Sequence, residues 1–243
     1  MRKGDIALDI LRKISEGIIA GILISLGGAV YLACVASGQT YAKYIGAFLF
    51  SLALVCICMR GYALYTGKIG LIFEKHKKDD ISLLLLCLLG NAIGTIVFGY
   101  LIGWVFPNLK DTALTLCNAK LEQGYGFGLL RAILCGILVF LSVDIYRNNK
   151  SPLGILLCIP AFILSGYEHS IADIFYFATS GIASGQAFLY LLMIILGNSI
   201  GGLLIPALQL IRPRKKDSET AEQTDKNNPQ QSGGSSAEQS ENK

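Results

Sequence analysis

The chain has 243 residues, 53% of them hydrophobic and only 16% charged, so there is too little polar residue to clothe an ordinary soluble domain. The formal net charge of +4 is small and spread between apolar runs, which argues against a nucleic-acid surface. The seven cysteines show no metal-ligand spacing and read as small buried apolar residues.

In chain order, residues 1–16 form a polar segment of mixed charge containing Asp5, Asp9 and Glu16. That composition, and the lack of a clean small-x-small site after the first apolar run, predict a retained helix rather than a cleaved signal. Six runs follow that are long enough for a bilayer, which needs about 20 apolar residues each. They lie at 17–36, 44–72, 81–106, 125–146, 152–180 and 186–211. The first four are joined by a connection at 37–43, a basic loop holding His76, and a stretch around Lys110, Cys117 and Lys120 read as an outer connection. Residues 17–212 thus form one membrane domain. The tail, 213–243, is rich in Ser, Gln, Asn, Glu and Gly and has no apolar surface to offset its ordering entropy, so it is expected to be disordered.

Lysine and arginine placement predicts orientation. With the N-terminus inside, the inner loops receive Arg2, Lys3, Arg12, Lys13, Lys75, Lys77, Lys78, Arg147, Lys150 and the Arg212–Lys216 cluster. The outer side receives only Lys43, Lys110 and Lys120, so both termini are expected to be cytoplasmic in a multi-pass protein of the cell membrane.

The fifth run is unusual. Gly166-Tyr167-Glu168-His169-Ser170-Ile171-Ala172-Asp173 places a histidine and two carboxylates within it. Ionisable groups at membrane depth are costly and mark pathways. Ser170 and Asp173 make an S-x-x-D capping pattern, which predicts a half-helix starting at Ser170. In the second run Thr66 is placed to cap in the same way, and Gly67 permits a tight turn. Gly90-Asn91-Ala92-Ile93-Gly94 in the third run recurs as Gly197-Asn198-Ser199-Ile200-Gly201 in the sixth. Runs one to three therefore pair with runs four to six. Three is odd, so the second copy enters upside down, as an inverted repeat with matching interruptions. Two half-helix N-termini meeting at the centre would attract a small anion. Asp173 fits a cap as well as a pore role.

Four motifs give the chain a family resemblance: Leu64-Tyr65-Thr66-Gly67, Arg131-x-x-Leu134-Cys135, Gly166-Tyr167-Glu168-His169-Ser170-Ile171-Ala172, and Gly197-Asn198-x-Ile200-Gly201-Gly202. Together and in order, over about residues 8–211, they resemble the formate/nitrite transporter family. The resemblance implies an all-α, aquaporin-like 3+3 protomer of six transmembrane helices, the second and fifth interrupted at the membrane centre. It implies a homopentamer with one pore per protomer. It also implies passage of small weak-acid anions such as formate, nitrite or hydrosulfide, with no cofactor.

By motif position, His169 is similar to the family's central pore histidine and Thr66 to its hydroxyl partner, with Lys68, Glu168, Ser170 and Asp173 beside them. Spacing from these anchors assigns Leu54 and Phe162 to an inner constriction and Phe50, Tyr65 and Val139 to an outer one. Ordinary packing explains Leu54, Phe50 and Val139 equally well. Where Lys68 and Asp173 stand the family usually carries Asn. Their opposite charges predict an ion pair across the repeat, and Arg60 is expected to pair with Glu168.

A bare anion is costly to desolvate, so protonation in the pore would ease its crossing. His169, with an unperturbed pKa of about 6.5, is the natural centre for that. One rival reading is an aquaglyceroporin-like channel for neutral solutes, although no Asn-Pro-Ala pair marks the breaks. The other is an intramembrane enzyme using His169 and Glu168, which lacks a second histidine or a metal cluster nearby. No P-loop or dinucleotide motif is present.

Overall fold

The first apolar run belongs to a helix longer than itself. In the computed structural model, which describes residues 3–74 and 78–211, α1 covers Lys3–Ala36. The expected loop around His76 and the expected tail 213–243 lie outside the described residues. All secondary structure among the described residues is helical. Residues to Ala207 form one compact unit, and the packing described below lies within it.

The second run forms more than one helix. α2 (Ala42–Arg60) stops where Gly61 adopts a left-handed φ of 73°, and the Gly61 N–H donates to Cys58 O. After residues 62–64 a short helix, α3 (Tyr65–Lys68), passes into a 3₁₀ segment, Ile69–Glu74. The turn glycine is therefore Gly61 rather than Gly67, whose φ is not positive. α4 (Lys78–Val105) carries the third run.

The stretch expected as an outer connection is a helix. α5 (Pro107–Glu122) starts on a proline, whose missing N–H costs nothing at a helix start. Leu109, Ala113 and Cys117, one turn apart, are buried on one face, and α5 packs on α8 and α1. α6 (Gly124–Asn149) carries the fourth run.

The fifth run also divides. α7 (Leu153–Leu164) ends before Gly166, which has a φ of 69°, and α8 (Ser170–Ser180) follows. All eleven residues of α8 are buried, so it is an interior helix on every side. α9 (Gly185–Gln209) carries the sixth run.

Five helices have the length and hydropathy to cross a membrane: Ala7–Ala36 within α1, then α2, Ile81–Val105 within α4, α6 and α9. Large apolar side chains such as Phe48, Leu52, Leu85, Trp104, Phe127 and Leu157 are exposed on the single chain, as expected of surfaces covered by lipid or by other subunits. Cys56 is exposed as well, against the expectation of burial, while Cys87, Cys117 and Cys135 are buried.

Backbones approach closely at two helix pairs. A Cβ on Gly90 of α4 would lie 2.5 Å from Ile14 O of α1. A Cβ on Gly201 of α9 would lie 2.0 Å from Ile133 O of α6. The two Gly-Asn motifs thus sit where helices touch through their backbones, a packing mode that membrane helices favour.

Candidate functional site

The asparagine of each motif ties down a helix break. Asn91 Oδ1 accepts from the Tyr65 N–H (2.8 Å), and Asn91 Nδ2 donates to Ala63 O and Gly17 O, each at 2.8 Å. Asn198 does the same in the second half. Its Oδ1 accepts from the Ser170 N–H (2.8 Å), and its Nδ2 donates to Glu168 O and Ala132 O, each at 2.8 Å. Both asparagines are wholly buried, so each satisfies backbone groups that the broken helix leaves without partners.

The clamps bring Thr66 and His169 together. Thr66 Oγ1 and His169 Nε2 are 3.0 Å apart. His169 Nδ1 accepts from the Ala172 N–H at 3.2 Å and is the cap of α8. The neutral tautomer assigned by this network carries its hydrogen on Nε2 and donates it to Thr66. The expected capping by Ser170 and Asp173 does not occur, because the preceding histidine fills that place and the Ser170 hydroxyl has no partner. Thr66 does not cap α3 either, since Leu64 stands at that position and the Thr66 hydroxyl faces His169. The Phe162 ring stacks on His169, with centroids 5.6 Å apart and planes 15° from parallel.

His169 borders a cavity of about 640 Å³, lined also by Phe50, Phe162, Lys120, Glu168 and Asp173. Tyr31 and Val35, near the C-terminal end of α1, lie on its wall. Two smaller cavities, of about 300 and 280 Å³, share Lys68. One reaches Lys13 near the other end of α1, and the other is lined by Leu54, Leu64, Gly67, Arg147 and Lys150. His169 thus borders the large cavity, and Gly67, next to Thr66, borders a cavity on the Lys68 side. Of the residues expected at constrictions, Phe50 and Phe162 line the large cavity and Leu54 the cavity on the Lys68 side. Tyr65 and Val139 are buried and line none of the three. Ser199 donates to Ile195 O at 2.6 Å, so Tyr65 donates its hydroxyl to Ser199 at 2.8 Å, which turns the ring toward α9.

Charge pairing differs from expectation. Asp173 does not meet Lys68. Asp173 Oδ1 lies 3.0 Å from Lys120 Nζ, and Lys120 also donates to Glu168. Lys68 lines the two smaller cavities instead. Arg60 does not meet Glu168 either. It is exposed in the last turn of α2, where a cation suits the helix C-terminus, while Glu168 is held by Lys120 and by Gln123 Nε2 at 2.7 Å. Gln123 also bonds the Tyr190 hydroxyl and accepts from Arg131. Burial opposes the Lys120 charge, but Asp173 and Glu168 together outweigh it and hold its pKa well above the usual lysine value. Among the described residues no group of three or more His, Cys, Asp or Glu side chains is arranged to hold a metal.

Lys120 and Gln123 are the site residues that the sequence reading did not single out, and the Gly-Asn motif reads there as a repeat marker without its clamping role. Lys120 continues the buried stripe Leu109, Ala113, Cys117 at helical spacing, a signal hidden once the stretch is taken as a loop.

A helical chain with two asparagine-clamped breaks has known relatives. The family model for formate/nitrite transporters matches residues 2–211. A formate-nitrite transporter of Plasmodium falciparum is 25% identical over 237 residues, covering 82% of this chain and 77% of that one. The nitrite transporter NirC of Escherichia coli is 28% identical over 179 residues, covering 65% and 67%. Among solved structures, a pentameric formate channel with formate bound superposes with a TM-score of 0.72 at 20% identity, over 83% of this chain and 96% of that one. An FNT family ion channel gives 0.74 at 23% identity, over 84% and 90%. These structures share the fold, and the match of the family model over most of the chain places it: the protein belongs to the formate/nitrite transporter family.

Proposed function

We propose that this chain is a membrane channel or transporter for small monovalent weak-acid anions such as formate, nitrite or hydrosulfide. The observation that carries the reading is the Thr66–His169 contact, with the large cavity on the His169 side and a cavity lined by Gly67 and Lys68 on the Thr66 side. His169 gives its Nε2 hydrogen to Thr66, which leaves the Thr66 hydroxyl hydrogen to be offered to the substrate at that level. Phe50, Phe162 and Leu54 surround that level with apolar surface, joined in this reading by Tyr65 and Val139. A bare anion is costly there, so it crosses as its neutral acid after protonation nearby. Ser170 and Asp173 lie one turn apart at the start of α8. Lys68 lies on the opposite side, where it draws anions in.

In this reading α2 with α3 and α7 with α8 each make one interrupted span, which brings the count to six. The paired clamps of Asn91 and Asn198 support a 3+3 inverted repeat. A homopentamer in the cell membrane, with both termini cytoplasmic, follows from the family and from the placement of Lys and Arg. The chain carries out transport and no catalysis.

The test is flux in proteoliposomes of formate, nitrite, hydrosulfide, acetate and lactate at several pH values, with glycerol as the neutral control. Saturable entry of at least one weak-acid anion, with glycerol excluded, is expected. Glycerol entry without anion entry would make the chain a neutral-solute channel instead.

A further inference from the structure

The large cavity holds a charge imbalance. Glu168 and Asp173 are 2% and 1% exposed, and both meet the same ammonium, Lys120. The other titratable or charged groups on the elements around them do not offset the second carboxylate. Arg131 on α6 is exposed and bonded to Gln123 rather than to a carboxylate. Tyr190 on α9 is bonded to Gln123. Tyr31 on α1, Cys117 on α5, Cys135 on α6 and Tyr176 on α8 are neutral at working pH. His169 has both ring nitrogens engaged, Nδ1 by Ala172 N–H and Nε2 by Thr66. Two buried carboxylates facing one cation leave one negative charge uncompensated, which is costly away from water. Among the described residues, Asp173 Oδ2 is meanwhile buried with no hydrogen-bond partner, as is Ser170 Oγ one turn earlier.

We infer that Glu168 and Asp173 together hold one proton, carried on Asp173 beside the large cavity, and that an entering anion takes this proton. The inference rests on the transport reading above and names the proton donor within it. The step balances simply. The O–H bond of the Asp173 carboxyl breaks, an O–H bond forms on a formate oxygen, and formic acid leaves toward Thr66 and His169. Asp173 is left as a carboxylate against Lys120 and recovers a proton from water in the cavity. His169 is poorly placed for the task. Taking a proton on Nδ1 would break the cap of α8, and losing the Nε2 hydrogen would leave an imidazolate. Asp173 therefore takes the donor role that the sequence assigned to His169, and His169 keeps the task of orienting Thr66.

The test is infrared spectroscopy of the protein in lipid at neutral pH, beside formate flux against pH. The wild-type protein should show the C=O stretch of a protonated carboxyl, shifted when the protein is made with carboxyl-13C aspartate, which needs no variant. The band should vanish in Asp173→Asn and in Glu168→Gln, because one carboxylate against Lys120 needs no proton. Formate flux through Asp173→Asn should then follow the neutral acid in bulk water, falling about tenfold per unit rise in pH, with the wild type less steep. An absent band, a band that the aspartate label does not shift, a band surviving either variant, or equal pH profiles would each overturn the inference. Lack of flux of any of the five weak-acid anions in the wild type would instead defeat the transport reading, and the infrared result would still decide where the proton sits.

Discussion

The two helix breaks share a backbone and differ in chemistry. At the first, Asn91 clamps the Tyr65 N–H and Ala63 O; at the second, Asn198 clamps the Ser170 N–H and Glu168 O. Lys68 and Asp173 then stand at matching places, three residues beyond Tyr65 and Ser170. Lys68 makes no side-chain hydrogen bond or ion pair among the described residues and borders the smaller cavities. Asp173 is buried against Lys120. The difference comes from α5, the helix linking the two halves, which supplies Lys120 to the second break only. The matching clamps set the geometry of both breaks, and α5 sets the electrostatics of the second.

The largest effect is expected where α5 enters. Lys120→Met leaves Glu168 and Asp173 buried with no cation, and removing one partner of a buried ion pair typically costs about 3–5 kcal/mol. A large drop in the thermal stability of the purified assembly should result. Stability equal to wild type would mean that α5 does not set the charge of the second break.

Next come the clamps. Asn91→Ala and Asn198→Ala each strip three hydrogen bonds from buried backbone groups, at a cost of about 2–3 kcal/mol by the usual penalty for unsatisfied groups. The two variants should unfold at similarly lowered temperatures. A severe loss for one and none for the other would break the equivalence of the two halves.

The smallest effect is expected for the pair that charge alone would have matched. Lys68→Asn should change stability by less than about 0.5 kcal/mol, as most solvent-facing substitutions do. Combined with Asp173→Asn it should be additive within about 0.5 kcal/mol in a thermal double-mutant cycle. A coupling well above that would mean the two groups interact after all.

Much of this is legible from the sequence. The apolar runs, the interruptions at Thr66 and His169 and the recurring Gly-Asn motif all follow from local composition and spacing. The pairings do not, because they depend on which helix faces which. The S-x-x-D pattern at Ser170 pointed to the right helix start, yet the residue before it became the cap, since its imidazole nitrogen accepts from the Ala172 N–H. Opposite charges at Lys68 and Asp173 suggested a partnership, but Asp173 meets Lys120 from α5 and Lys68 borders the two smaller cavities. Lys120 was hidden because one lysine in a mostly polar helix looks solvated until Leu109, Ala113 and Cys117 are seen to share its buried stripe.

The central claim is that the substrate crosses at the Thr66 hydroxyl held by His169, and Thr66→Val tests it most directly. Valine keeps the shape but leaves the His169 Nε2–H without an acceptor and offers the substrate no hydrogen, a change worth about 1–3 kcal/mol at a buried polar site. Formate flux in proteoliposomes should fall by at least about tenfold while the assembly stays folded. Wild-type flux from a folded Thr66→Val protein would contradict the account.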